Sequence, residues 1–199
     1  RHTNAFKVNE DVVIPLPRMG EYTEGIERIN VELSLRNKLQ LADRLIALFE
    51  GGALPLGKGD DAGEIPSAEL LEDRVQQALV VLREVRTLWR FWLAQLDVVQ
   101  PADETGHART LFAQLQDHSL RASWKAQIWK PLQQLFAGGA FAPLLARCKA
   151  VHQEVLRGRV WVALHMHAGD GNVHTNIPVN SDNYAMLQTA HEAVARIMR

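Results

Sequence analysis

From Leu71 to Leu96 the apolar residues recur at alternating spacings of four and three: Leu71, Val75, Ala78, Leu82, Val85, Trp89, Trp92 and Leu96. Such a seam lies on one stripe only if the chain is an α-helix. Ser67 is placed to cap that helix, and Glu69 and Glu72 in its first turn complement the helix dipole. Pro101 closes the element. The seam fits either a coiled-coil surface that meets a partner or one helix of an antiparallel bundle. Helical patterns resume at once over about 103–118, 119–136 and 140–156, which favours the bundle. Pro131 is expected to kink or split the stretch 119–136, and Gly138-Gly139 to turn the chain. The aromatic residues on these helices read as core. Cys148, on one face with Leu144, Leu145 and Val151, reads as a buried structural cysteine rather than a nucleophile.

The segments on either side follow other rules. Asp11–Leu16 is a β-branched apolar run that reads as a strand stopped by Pro15 and Pro17. A helix is expected over about 21–49, with Ile26, Ile29, Leu33, Leu41, Leu45 and Leu48 on its apolar face and Gly51-Gly52 after its end. Residues 51–66 are rich in glycine and proline and read as a loop. Beyond the bundle, Arg159–Met166 and Val173–Val179 read as strands, and 183–199 as a helix carrying Met186, Leu187, Ala190, Val194 and Ile197. The expected fold class is therefore α+β: a small antiparallel sheet with covering helices plus a long α-helical bundle insertion. The expected segments are 1–50 and 158–199 for the α+β part and 51–157 for linker and insertion.

Composition narrows the function. The chain has 199 residues, 47% of them hydrophobic and 23% charged, which is ordinary for a folded domain. Lys and Arg total 22 against 23 Asp and Glu, so bulk charge points to no nucleic-acid partner. One cysteine leaves no internal disulfide and no multi-cysteine metal site, and fits a reducing, cytoplasmic setting. No apolar run approaches the ~20 residues of a membrane span. The chain starts without methionine and stops inside a predicted helix, so part of a longer protein is expected.

The segment richest in chemistry is His165 to Asn176. Asp170-Gly171 between two β-rich runs predicts a two-residue hairpin turn. That register pairs Gly169 with Asn172, Ala168 with Val173, His167 with His174, Met166 with Thr175 and His165 with Asn176. One face then shows His165, His167, His174 and Asn176, and the other Leu164, Met166, Ala168, Val173 and Ile177. Two opposed imidazoles can hold one divalent metal, although a catalytic metal needs a further ligand, and a carboxylate is expected from elsewhere. Spacing alone equally allows a solvated polar strand face. A phosphate cradle at Gly-Asp-Gly-Asn is disfavoured, because no helix N-terminus follows and the aspartate would repel an anion.

The run His167-Ala168-Gly169-Asp170-Gly171-Asn172-Val173-His174 resembles the His-x-Gly-Asp-Gly-Asn-x-His motif in the C-terminal substrate (cap) domain of the FAD-linked oxidases. These flavoproteins include D-lactate dehydrogenase, the glycolate oxidase flavin subunit and D-2-hydroxyglutarate dehydrogenase. Phe6-Lys7 ahead of a strand is similar to the segment that opens the same half of those proteins, most of all the large bacterial members that also carry iron–sulfur clusters. The resemblance covers about 6–50 and 160–199 and leaves out the helical stretch 51–156. It implies that His167 and His174 bind zinc or manganese, that Lys7, Asn176 and His165 line the substrate, and that Gly169, Asp170, Gly171 and Asn172 face the cofactor. The implied reaction is oxidation of a D-2-hydroxy acid such as D-lactate to the 2-oxo acid, with FAD as hydride acceptor. A quinone or cytochrome would then be the electron acceptor, and the parent could be peripheral to the inner membrane. The flavin domain and the family's Ser-x-Glu-His-Gly motif are expected outside these 199 residues, so the chain alone is expected to be inactive. A second expectation, of another kind, is that the helical stretch is an interaction module that docks a partner or electron acceptor on a structural α+β base.

Overall fold

The computed structural model describes residues 5–57, 67–101, 108–167 and 172–198, without the side chains of residues 5, 6 and 167. It is a mixed α+β structure with a small antiparallel sheet and long helices. The chain packs into two compact units. One holds the described residues of Arg1–Ser34, Val99–Ser119 and Gly158–Arg199, and the other those of Leu35–Val98 and Leu120–Arg157. These units divide the chain elsewhere than at the expected segments 1–50, 51–157 and 158–199. The second half of the first helix belongs to the helical unit, and the described residues of 99–119 belong to the unit that holds the sheet.

The first unit is built on strand β1 (Ala5–Val13), which starts earlier and ends earlier than the expected Asp11–Leu16. Nine residue pairs with a later strand supply its ladder, and Pro15 has no N–H to continue it. A 3-10 turn (Leu16–Arg18) leads into helix α1 (Met19–Glu50), whose Ile26, Ile29 and Leu33 are buried as expected. Of the expected helix 103–118, residues 103–107 lie outside the described residues, and the rest is not one helix. A two-pair ribbon joins β2 (Val99–Gln100) to β3 (Arg109–Thr110), and helix α3 is only Leu111–Gln116. Helix α2 (Ala68–Ala94) belongs to the other unit. After α3 the chain bends out of helical geometry at His118, whose φ is 64°, while Ser119 N donates to Asp117 Oδ1 at 2.9 Å.

The second half of α1 supplies Leu41, Leu45 and Phe49 to the helical unit's core. Helix α2 (Ala68–Ala94) begins at Ser67, whose hydroxyl accepts from Leu70 N at 3.2 Å. Its heptad seam is its buried stripe: Ala78, Leu82, Trp89, Trp92 and Leu96 are buried, and no seam residue is exposed. Pro131 does change the helix around it. Residues Trp124–Trp129 form a π-helical turn, and helix α4 (Lys130–Leu135) follows it with Pro131 in its first turn. Gly138, with φ 116°, turns the chain into a 3-10 turn (Gly139–Phe141) and helix α5 (Ala142–Arg157). Trp89 is fully buried, and its indole N–H donates to Gln127 Oε1 at 3.2 Å. Phe49 and Phe136 stack with ring centres 5.5 Å apart. No helix among the described residues is long and apolar enough to cross a membrane.

The sheet is completed by β4 (Ala163–His167) and β5 (Asn172–Asn180), in the order β1-β5-β4 with antiparallel neighbours. Helix α6 (Tyr184–Ile197) follows, with Asn183 accepting from Met186 N at 3.1 Å as its cap. Its Met186, Ala190, Ala193 and Ile197 join Ile26, Ile29 and Leu33 of α1 against Ile177 and Val179 of β5. Helices therefore cover one side of the sheet, as their apolar stripes require.

Two groups of the helical unit carry tests. Cys148 is 0% exposed, and burial pushes its thiol up to about 12. At neutral pH it should not react with a maleimide until the chain is unfolded, and rapid labelling of the native chain would show that the α5 face is open. His152 stacks on Trp124 with ring centres 4.4 Å apart. Burial pushes its imidazole below the ordinary 6.5, and the charge of Lys38 pushes the same way. The unfolded chain therefore takes this proton first, and stability falls as the pH drops below about 6.5 until the folded imidazole is protonated too. Tryptophan fluorescence reports mainly on this unit, which holds Trp89, Trp92, Trp124 and Trp129. His152→Phe should flatten the fall of the unfolding midpoint between about pH 7.5 and 5.5, and an unchanged slope would assign it to other groups.

Candidate functional site

β5 is paired on both edges, so it decides which side chains stand side by side. Along it, burial alternates. Val173, Thr175, Ile177 and Val179 are buried against the helices, and Asn172, His174, Asn176 and Pro178 lie on the other face. Thr175 is the buried polar exception, and its hydroxyl donates to Glu10 O at 3.1 Å. Along β5 this is the separation of faces expected from the sequence; on β4 both His165 and Met166 are exposed, and Ala168 and the side chain of His167 lie outside the described residues.

The hairpin register is not the expected one. β4 pairs with β5 as His167 with Asn172, Met166 with Val173, His165 with His174, Leu164 with Thr175 and Ala163 with Asn176. This is a slip of two residues from the expected pairing. Four residues, 168–171, separate the strands instead of two, and the expected Asp170-Gly171 turn lies outside the described residues. A slip of two leaves every side chain on its own face, so the apolar pattern cannot tell the two registers apart. What distinguishes them is an anchor on α1. Asn30 Nδ2 donates to Val162 O at 2.9 Å, and Val162 N donates to Asn30 Oδ1 at 2.7 Å. That pair of bonds fixes the chain just before β4, and the sequence carries no signal for it.

The register on the other edge brings β1 into the site. Asp11 pairs with His174, Asn9 with Asn176, Lys7 with Pro178 and Val13 with Asn172. The solvent-facing side of the sheet thus carries three short rows: Val13–Asn172–His167, Asp11–His174–His165 and Asn9–Asn176–Ala163. The middle row is the best defined. His174 Nδ1 lies 2.6 Å from Asp11 Oδ1. The rings of His174 and His165 are stacked, 6.4 Å between centres and 28° between planes. The Asp11 side chain is 73% exposed and that of His174 38%, so their pairing adds at most about 1 kcal/mol to stability.

Sequence expectations meet this geometry unevenly. His165, not His167, is directly opposite His174. His167 is diagonal to it, a separation of roughly 7–8 Å that long side chains still bridge, and its own side chain lies outside the described residues. Asn176 is one row from His174. Lys7 is two rows away, about 13 Å along the strand at ~3.3 Å per residue. Of the cofactor-side group, Asn172 opens β5 and is exposed, while Gly169, Asp170 and Gly171 lie outside the described residues. Asp11 and Asn9 were not singled out. The signal that would have found them was the alternation Lys7, Asn9, Asp11 once the strand is begun at residue 5.

The donors present suit a divalent ion. Imidazole and carboxylate ligands both serve zinc and manganese, and a histidine ligand usually gives its second ring nitrogen to a carboxylate; here His174 Nδ1 lies beside Asp11 Oδ1. Among the described residues, which exclude the His167 side chain, no group of three His, Cys, Asp or Glu is placed to hold a metal. A separate cleft of about 600 Å³ is lined by Val12, Ile14, Tyr22 and Ile26 among others, and takes in none of the candidate residues. The Tyr22 hydroxyl is buried there with no partner among the described residues, and burial raises its pKa.

If the Asn30 anchor sets the register, Asn30→Ala should lower stability by about 1–3 kcal/mol, because two backbone groups of a buried residue lose their partner. It should also disturb the contacts between His165 and His174 in NMR spectra. Unchanged contacts would mean that the strands hold the register unaided.

Compared with known proteins, the chain matches no family model, no curated protein and no solved structure.

Proposed function

We propose that this chain is the substrate-binding part of an FAD-dependent dehydrogenase that oxidises a D-2-hydroxy acid, D-lactate or a close analogue, to the 2-oxo acid. The observation that carries the reading is the clustering of His165, His174, Asn176 and Asn172 on one solvent-facing side of a sheet whose other side is buried. It is supported by the likeness of His167–His174 to the motif of the FAD-linked oxidases.

On this reading His167 and His174 hold the divalent metal, and the parent protein provides a further ligand. When bound, the metal supplies Lewis acidity toward the substrate's hydroxyl and carboxylate, and the flavin supplies the hydride acceptor. The chain's own residues bind and orient. His174 offers a ring nitrogen from a strand held on both edges. Asn176, one row along, offers an amide that can donate to the carboxylate and accept from the hydroxyl. Lys7 adds positive charge to the same face, but at two rows it serves attraction better than direct contact. The shallow, wet position of the row fits a site that a second domain must close.

A second reading makes the helical unit a docking module for a partner or electron acceptor. What favours it is the exposed stripe Val80, Leu88 and Phe91 on α2, three apolar side chains at 52%, 39% and 49% exposure.

Calorimetric titration with zinc and with manganese at neutral pH tests the first reading. One ion per chain should bind, and the His167→Ala/His174→Ala variant should lose it. Equal uptake by the variant would remove this face as the metal site.

A further inference from the structure

We infer that Asp11 is a positioning residue for this face: its carboxylate fixes His174 in the tautomer that keeps the ligand lone pair on Nε2. The inference rests on the metal-site reading above and adds to it a residue that the motif does not contain.

The argument is one of proton inventory. His174 Nδ1 lies 2.6 Å from Asp11 Oδ1, close enough for a charge-assisted hydrogen bond. An ionised carboxylate only accepts, so the proton between the two atoms belongs to the imidazole. A neutral imidazole has one N–H. With that proton on Nδ1, the lone pair sits on Nε2, the form a metal ion needs. The contact is not the accident of a mobile loop. Asp11 and His174 are direct partners in a ladder of nine residue pairs, and they come from positions 163 residues apart. Both are substantially exposed, so the contact does little to hold the fold. Its effect falls on the orientation and tautomer of one ring. His165, on the opposite edge of β5, stacks against the same ring and limits its tilt.

Outer carboxylates on metal-bound histidines are worth about 10–100-fold in metal affinity, and the exposure of this one places it at the lower end, about tenfold. Asp11→Ala and Asp11→Asn separate the roles, because the asparagine oxygen can still accept from Nδ1–H while carrying no charge. Two readouts are needed: zinc and manganese dissociation constants by calorimetry, and the His174 ring-nitrogen resonances of the metal-free, ¹⁵N-histidine-labelled chain. The wild-type chain should show the Nδ1–H form. Asp11→Ala should shift it toward Nε2–H and weaken metal binding about tenfold, and Asp11→Asn should restore the tautomer and most of the affinity. A wild-type chain in the Nε2–H form, an Asp11→Ala chain with unchanged tautomer, or an asparagine that rescues neither readout would overturn the inference. Failure of the metal reading itself looks different: wild-type and His167→Ala/His174→Ala chains would bind metal alike, whatever the tautomer spectrum shows.

Discussion

The sheet depends on β5 being hydrogen-bonded along both edges. A strand in that position cannot rotate or slide without breaking two ladders, and its period of two then assigns each side chain to one face. Ile177 and Val179 bury themselves under α1 and α6, and Val173 is buried on the same side of the strand, which leaves His174 and Asn176 no other side to occupy. The candidate site is the consequence of where the core lies. Its residues come from strands at opposite ends of the sequence because the middle strand pairs with both.

Much of this was legible in the residues. The seam of α2, the cap Ser67, the break at Pro131 and the two faces along β5 all follow from local rules, and local rules are what a sequence displays. What was not legible depends on contacts distant in the chain. The chain entering β4 is held by Asn30, some 130 residues earlier. β1 reached back to residue 5 because β5 offered it nine partners, whereas the β-branched run at Asp11–Leu16 drew attention to its end. The spacing over 103–118 reads as helical, yet among its described residues Arg109-Thr110 pair with Val99-Gln100 and only the six residues of α3 are helical. Asp11 belonged to no motif and became visible only as the cross-strand neighbour of His174.

The helical unit shows how one proline can be absorbed. Pro131 removes an N–H, and the helix answers by widening into a π turn at Trp124–Trp129 before α4 begins. That widening puts Gln127 within reach of the Trp89 indole, and Gln127 also accepts from Ser123 N at 2.7 Å. A fully buried tryptophan is thereby left with no unsatisfied polar atom, which a regular helix through the same residues would not guarantee.

β1 has a single pairing partner among the described strands, so among these strands its other edge is a row of unpaired backbone donors and acceptors. Such edges invite sheet-to-sheet aggregation unless something discourages it, and charge placed along the strand is the usual deterrent. β1 carries Lys7, Glu10 and Asp11 within five residues. The residues read above as attracting an anionic substrate and steadying a histidine also act as gatekeepers of solubility. Neutralising them to probe the site would weaken the chain's protection against its own copies.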